Sequence, residues 1–157
     1  MKFEVKTATM DDLDNLKQLN KIQCTREHEE FDSSVIPDWA FTKVGDDYMK
    51  KRLKERDSCV FIAYVGKKPI GYLIGTLTEV EIYRDMKKFA ELETVYVIKS
   101  HRGHGMGTEM INLFFDWCHR RQIKRVRTVT PILNIEGINF YKNIGFVDYY
   151  LTLETEF

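Results

Sequence analysis

The sequence is poor in the features that mark specialised chains. Cysteine occurs three times in 157 residues, at Cys24, Cys59 and Cys118, with no C-x-x-C pair. So sparse and odd a set excludes a disulfide framework and fits a reducing compartment, so a cytoplasmic location is expected. Excess charge is absent as well. The 24 basic and 24 acidic side chains cancel, which argues against a nucleic-acid partner held by bulk charge. The longest apolar runs, such as residues 59–65, are far too short to span a bilayer, so no membrane association is expected. The opening MKFEVKTATM lacks the apolar stretch of a secretory signal. Cys24 and His28 sit four apart with no further ligand spacing in reach, so no metal site is expected. No repeat, low-complexity tract or linker breaks the chain, and a single domain over residues 1–157 is the natural reading.

What is present begins with a 43% hydrophobic fraction, enough for a core, and 31% charged residues for a surface. Phe3, Val5 and Thr7 alternate as in a half-buried strand. Thr9 and Asp12 form a capping box ahead of a helix with Leu13, Leu16, Leu19 and Ile22 on one face. The acidic run Glu27 to Asp32 is either a solvated loop or a wall that attracts a cationic amine. A second helix is expected from about Asp46 to Arg56, with Tyr48, Met49 and Leu53 inward. Ser58 to Val65 and Ile70 to Leu77 read as a hairpin around Gly66 and Pro69. Gly71 and Gly75 in its second strand suggest close backbone approach or a bulge. Residues 79–88 form a charged link. Later come a strand over Arg125 to Thr130, a short helix from Asn134 to Gly145, and a last strand over Phe146 to Glu154. In that strand Val147, Tyr149, Leu151 and Leu153 share a face. The basic cluster Arg120, Arg121, Lys124, Arg125 and Arg127 suits a helix end and turn; it lacks the interleaved aromatics of a nucleic-acid patch.

The most informative stretch is Glu91 to Gly107, ELETVYVIKSHRGHGMG. Val95, Tyr96, Val97 and Ile98 favour a buried strand. A glycine loop follows, and from Met106 the apolar residues Met106, Met110, Leu113, Phe114 and Trp117 recur at helical spacing. A glycine loop between strand and helix gathers backbone N–H groups at the positive end of the helix dipole, a site for phosphate. The dinucleotide pattern G-x-G-x-x-G fails because position 108 is Thr108. The P-loop fails because no lysine follows Gly107.

The remaining pattern, Arg102-x-x-Gly105-x-Gly107, resembles the pyrophosphate loop of the GNAT superfamily of N-acetyltransferases. Leu92-x-x-Val95-Tyr96-Val97 matches the same superfamily. Asn134 to Phe146 resembles its N-x-x-A-x-x-F-Y-x-x-x-G-F segment, with Asn134, Phe140, Tyr141, Gly145 and Phe146 in register and Gly137 where alanine is usual. Gly137 would weaken the helix by roughly 1 kcal/mol relative to alanine and leave room for a ligand. The resemblance is firm from about Ser58 to Phe146.

It implies an α/β (α+β mixed) fold: a central, mostly antiparallel mixed sheet of six to seven strands, about four flanking helices and a splayed central strand. It implies acetyl-CoA as co-substrate and no metal. Main-chain groups of Val95, Tyr96 and Val97 would pair with the pantetheine arm and polarise the thioester carbonyl. Arg102, Gly103, His104, Gly105, Met106, Gly107 and Thr108 would form the pyrophosphate loop, and Asn134 would bond the pantetheine arm. The acceptor would be an amine on a small molecule or peptide, approached by the variable stretches Cys24 to Gly45 and Thr78 to Lys88. The edge strand near the C-terminus offers a pairing surface for a homodimer.

Acetyl transfer to an amine of pKa near ~10 needs a proton acceptor, a stabilised oxyanion and a protonated leaving thiol. The candidate bases are Glu91 and Glu93, which alternation places on one face of the strand. Either could instead be half of a surface ion pair. Tyr141 is the candidate acid for the departing thiolate; packing beside Phe140 is its plain alternative. A non-catalytic acyl-CoA-binding or interaction domain on the same fold is the alternative for the whole chain, against which the intact Tyr141 and two glutamates stand.

Overall fold

The computed structural model describes residues 1–86 and 88–157. Strand β1 (Glu4–Thr7) leads through the Thr9–Asp12 capping box into helix α1 (Leu13–Glu30). Helix α2 (Lys43–Lys54) starts on Thr42, whose side chain accepts from the Gly45 N–H. Strands β2 (Ser58–Val65), β3 (Lys68–Thr78) and β4 (Phe89–Val97) follow. Then come α3 (Met106–Arg120), the short β5 (Val126–Arg127) and α4 (Ile135–Asn143). The strands lie in one sheet in chain order, antiparallel except for β4–β5, which are parallel.

Helices cover both faces. Met106, Met110, Ile111, Phe114 and Trp117 of α3 pack one face of the sheet with Phe61, Leu73, Ala90 and Leu92. Leu16 and Leu19 of α1 and Met49 of α2 pack the other with Ile62, Tyr72, Ile74 and Tyr96. This is the mixed α/β layering expected from the element order. The Phe114 ring lies so close to β3 that a β-carbon at Gly75 would meet it at 2.3 Å. The β3–β4 register also shifts between Ile74 and Gly75: Ile74 pairs with Thr94 and Gly75 with Leu92. Glu93 is therefore an extra residue in β4, a bulge that sends both Glu93 and Thr94 toward the α1–α2 layer.

Four expectations need correction. Ile22 is 45% exposed, because the inward face of α1 continues through Asn20 and Cys24. The acidic run is helical as far as Glu30 rather than a loop. Only Val126 and Arg127 of the strand expected over 125–130 pair with β4. The last expected strand is absent among the described residues, so the sheet has five strands. Phe146 packs on the core, but Val147, Tyr149, Leu151 and Leu153 are all more than half exposed. Alternation gives a strand its faces; it does not supply the neighbouring edge that a strand must pair with. The link over residues 79–88 carries turns where described, and Lys87 lies outside the described residues.

Candidate active site

The parallel pairing between β4 and β5 stops at Glu91 and Arg127. Beyond that point Thr128 still donates its hydroxyl to the Leu92 carbonyl at 3.0 Å. Val129, Thr130 and Pro131 then diverge from β4. The gap opens a cleft of about 580 Å³ between α1, the Thr94–Val97 part of β4, the start of α3, and α4. It is the splay expected beside the central strand.

The glycine loop forms one end. Gly103 has φ 78° and Gly105 has φ 86°. Only glycine adopts these left-handed angles without strain, and nothing lies within 4 Å of a β-carbon built at either. Gly105 is the N-cap of α3, so the first N–H groups of that helix face the cleft without a side-chain cap. Gly107 has a different duty: its β-carbon would meet the Phe140 ring of α4 at 3.2 Å. Met106 is buried in the core, so its share of the loop is main-chain. Thr108 lines the cleft and His104, exposed, does not. Arg102 turns its Nε to the Val97 carbonyl at 2.9 Å and its Nη1 to Glu136 at 2.6 Å.

Asn134 is the N-cap of α4. Its Oδ1 accepts from the Gly137 N–H at 3.2 Å, and its Nδ2 donates to the Thr130 hydroxyl at 3.0 Å. A β-carbon at Gly137 would meet that Nδ2 at 2.4 Å. Gly137 therefore makes room first for the chain's own capping amide. Tyr141 sits one helical turn on, its ring against Phe140 and Phe146. Burial pushes the Tyr141 phenol upward, the neighbouring Thr128 hydroxyl pulls it back, and the Glu27 charge adds to the rise. The phenol thus keeps its proton at neutral pH.

The two strand glutamates part company. Glu91 lies outside the cleft, its carboxylate 3.2 Å from Arg127 Nη2. Glu93 lines the cleft, but Arg52 grips it through Nε at 3.0 Å and Nη2 at 2.5 Å, and Tyr48 donates its hydroxyl to the same carboxylate. Burial first, then the Glu93 charge, raise the Tyr48 phenol, so that proton stays on Tyr48.

Sequence reasoning missed a polar chain at the far end. Asn20 Nδ2 donates to the Tyr72 hydroxyl at 3.0 Å, and Tyr72 donates to Gln23 Oε1 at 2.6 Å. Thr94 donates to the same oxygen at 3.0 Å, and Gln23 Nε2 donates to Glu27 at 2.8 Å. The signal available was the spacing Asn20, Gln23, Glu27, one polar stripe on an otherwise apolar helix face. Of the two stretches expected to approach the acceptor, Arg26, Glu27 and Phe31 from the first reach the cleft, and none of the described residues of 78–88 does. Cys24 and His28 do not converge: the thiol faces Asn20 and His28 Nδ1 meets the Val35 carbonyl at 2.8 Å.

A splayed parallel edge of a mixed sheet, a glycine loop at a helix start and a tyrosine that keeps its proton thus meet in one cleft. The acetyltransferase (GNAT) family model matches residues 18–146, and the chain belongs to that family. It is 25% identical over 144 residues to an uncharacterized N-acetyltransferase of Methanocaldococcus jannaschii, covering 92% of this chain and 60% of that one. It is 25% identical over 100 residues to a streptothricin acetyltransferase of Escherichia coli, covering 64% and 53%. The chain thus spans between half and two thirds of the length of these relatives. The fold is that of a mutant Bacillus halodurans protein, BH1408 (TM-score 0.81, 16% identity, 98% and 99% covered). It is also that of AAC(6′)-Iy in complex with a bisubstrate analogue, CoA-S-monomethyl-acetylneamine (TM-score 0.79, 15% identity, 99% and 98% covered).

Proposed function

We propose that this chain transfers an acetyl group from acetyl-CoA to a primary amine by direct attack. The observation that carries the reading is that one cleft joins three things: the uncapped N-terminus of α3, the open edge of β4 and the protonated Tyr141. The cradle at Gly103 and Gly105 fits a pyrophosphate, because a bare left-handed loop lets backbone N–H groups approach an anion closely. The open edge of Thr94–Val97 fits the amides of a pantetheine arm.

The amine nitrogen, once neutral, bonds to the thioester carbon; the C–S bond breaks, and Tyr141 passes its proton to the departing sulfur. The phenol then recovers a proton from the nitrogen of the new amide through water. Of the strand glutamates, Glu93 alone borders the cleft, and with its oxygens engaged by Arg52 and Tyr48 any part as base runs through water. The name of one relative, a streptothricin acetyltransferase, favours a small-molecule acceptor.

Tyr141→Phe tests the reading. It should keep its Tm and its acetyl-CoA affinity while kcat falls by roughly 10²–10⁴. The loss should shrink at high pH, where a thiolate needs no proton to leave. Wild-type kcat in this variant would remove Tyr141 from the chemistry.

A further inference from the structure

Among the described residues, Glu27 is a carboxylate lining the cleft that no ion pair compensates. None of the ion pairs among the described residues includes it. The nearby cation Arg26 is held by Glu30 at 2.7 Å and Glu136 at 3.5 Å. Across the cleft, Glu93 is held by Arg52. Glu27 is nevertheless well positioned: Oε1 accepts from Gln23, and Gln23 is locked by Tyr72 and Thr94 from two strands of the sheet. Oε2 makes no hydrogen bond among the described residues. The cleft's arginines, Arg26 and Arg102, are both paired with Glu136; the other titratable groups around Glu27 are Cys24 on its own helix, Tyr72 on β3, Glu93 on β4 and Tyr141 on α4. None of the latter is a cation at neutral pH. An anion so placed, partly desolvated and facing the proton donor of the reaction, attracts a cation.

We propose that Glu27 is the acceptor-binding carboxylate: it receives the acceptor as its ammonium ion and takes the proton that frees the nitrogen lone pair. This rests on the acetyltransferase reading and names the part of the site that selects cationic amines. The balance closes. One proton passes from the ammonium to Glu27 and thence to solvent; the C–N bond forms and the C–S bond breaks. Tyr141 protonates the sulfur and is reprotonated from nitrogen. Acetyl-CoA and an ammonium ion give an amide, free coenzyme A and one proton.

The test compares wild type, Glu27→Gln, Glu27→Asp and Glu93→Gln. Thiol release from acetyl-CoA is followed with butylamine, spermidine and neamine across pH, and acetyl-CoA affinity is measured by calorimetry. Glutamine keeps an oxygen for Gln23, so folding is spared. With a carboxylate that pairs with the ammonium, wild-type kcat/KM stays level across neutral pH, because the amine is received in the form that predominates there. Without it only free amine reacts, so Glu27→Gln should be down roughly a hundredfold at pH 7 and gain about tenfold per pH unit. Acetyl-CoA affinity should be unchanged, and Glu27→Asp should restore the level profile. A Glu27→Gln variant within about threefold of wild type, with the same pH profile, overturns the proposal. So does a variant whose acetyl-CoA affinity falls, which would put Glu27 at the coenzyme end, or a pH slope that appears in Glu93→Gln instead. Wild-type protein that binds acetyl-CoA yet releases no thiol with any amine defeats the transferase reading itself, an outcome distinct from failure at Glu27.

Discussion

Glu91 and Glu93 stand two residues apart on β4 and differ in what their removal should do. The Arg52–Glu93 side chains are 16% and 18% exposed, those of Arg127 and Glu91 37% and 28%. Glu93→Gln strips a largely covered guanidinium of its counter-charge, at a cost of about 1–3 kcal/mol. Glu91→Gln, in a more open pair, should cost less than about 1 kcal/mol. Urea unfolding of both variants checks this, and equal losses would contradict it. Asn134→Ala removes the cap of α4 and should cost about 1 kcal/mol as well. If Asn134 also touched the pantetheine arm, acetyl-CoA affinity would fall beyond what the lost helix order explains.

At the scale of elements, the glycine loop carries the sharpest expectation. Gly105→Val forces a β-branched residue to φ near +86° and places a side chain where backbone N–H groups must meet an anion. Acetyl-CoA affinity should drop at least tenfold, about 1.4 kcal/mol; calorimetry on the folded variant showing unchanged affinity would sink the loop assignment. The shape of this loop was legible in the sequence because its glycines fall between a strand and a helix that starts at Met106, as the periodicity requires. The capping box at Thr9 and Asp12 was legible for the same reason: cap chemistry is local. The bulge at Glu93 was not. Gly75 hinted at it, but which residue of β4 is extra depends on how β3 pairs across, a non-local matter. The brevity of β5 and the unpaired tail after Phe146 escaped likewise, since no pattern within a strand reports whether a partner edge exists.

For the whole molecule, the three thiols predict an alkaline limit. Burial raises Cys24 and Cys118 to about 11 and Cys59 to about 12. Each folded value lies above that of the unfolded chain, so the unfolded state loses its thiol protons first as pH rises. The stability from these groups is whole below about pH 8.5 and is lost as pH climbs toward 11–12. Tm should therefore hold level from neutrality to about pH 8 and fall beyond it; a level Tm to pH 10 would contradict this burial. The cleft itself was half legible. Residues of the two family motifs, among them Arg102, Gly105, Gly107, Asn134 and Tyr141, line it. Gln23, Tyr72, Thr94 and Glu27 come from three elements that only the folded sheet brings together. The central claim, acetyl transfer to an amine, meets its most direct test in free-thiol release from acetyl-CoA across a panel of cationic amines, with Tyr141→Phe as control. The account predicts amine-dependent release that the control loses by roughly 10²-fold or more. Tight acetyl-CoA binding with no amine-dependent release from the wild-type protein would contradict it.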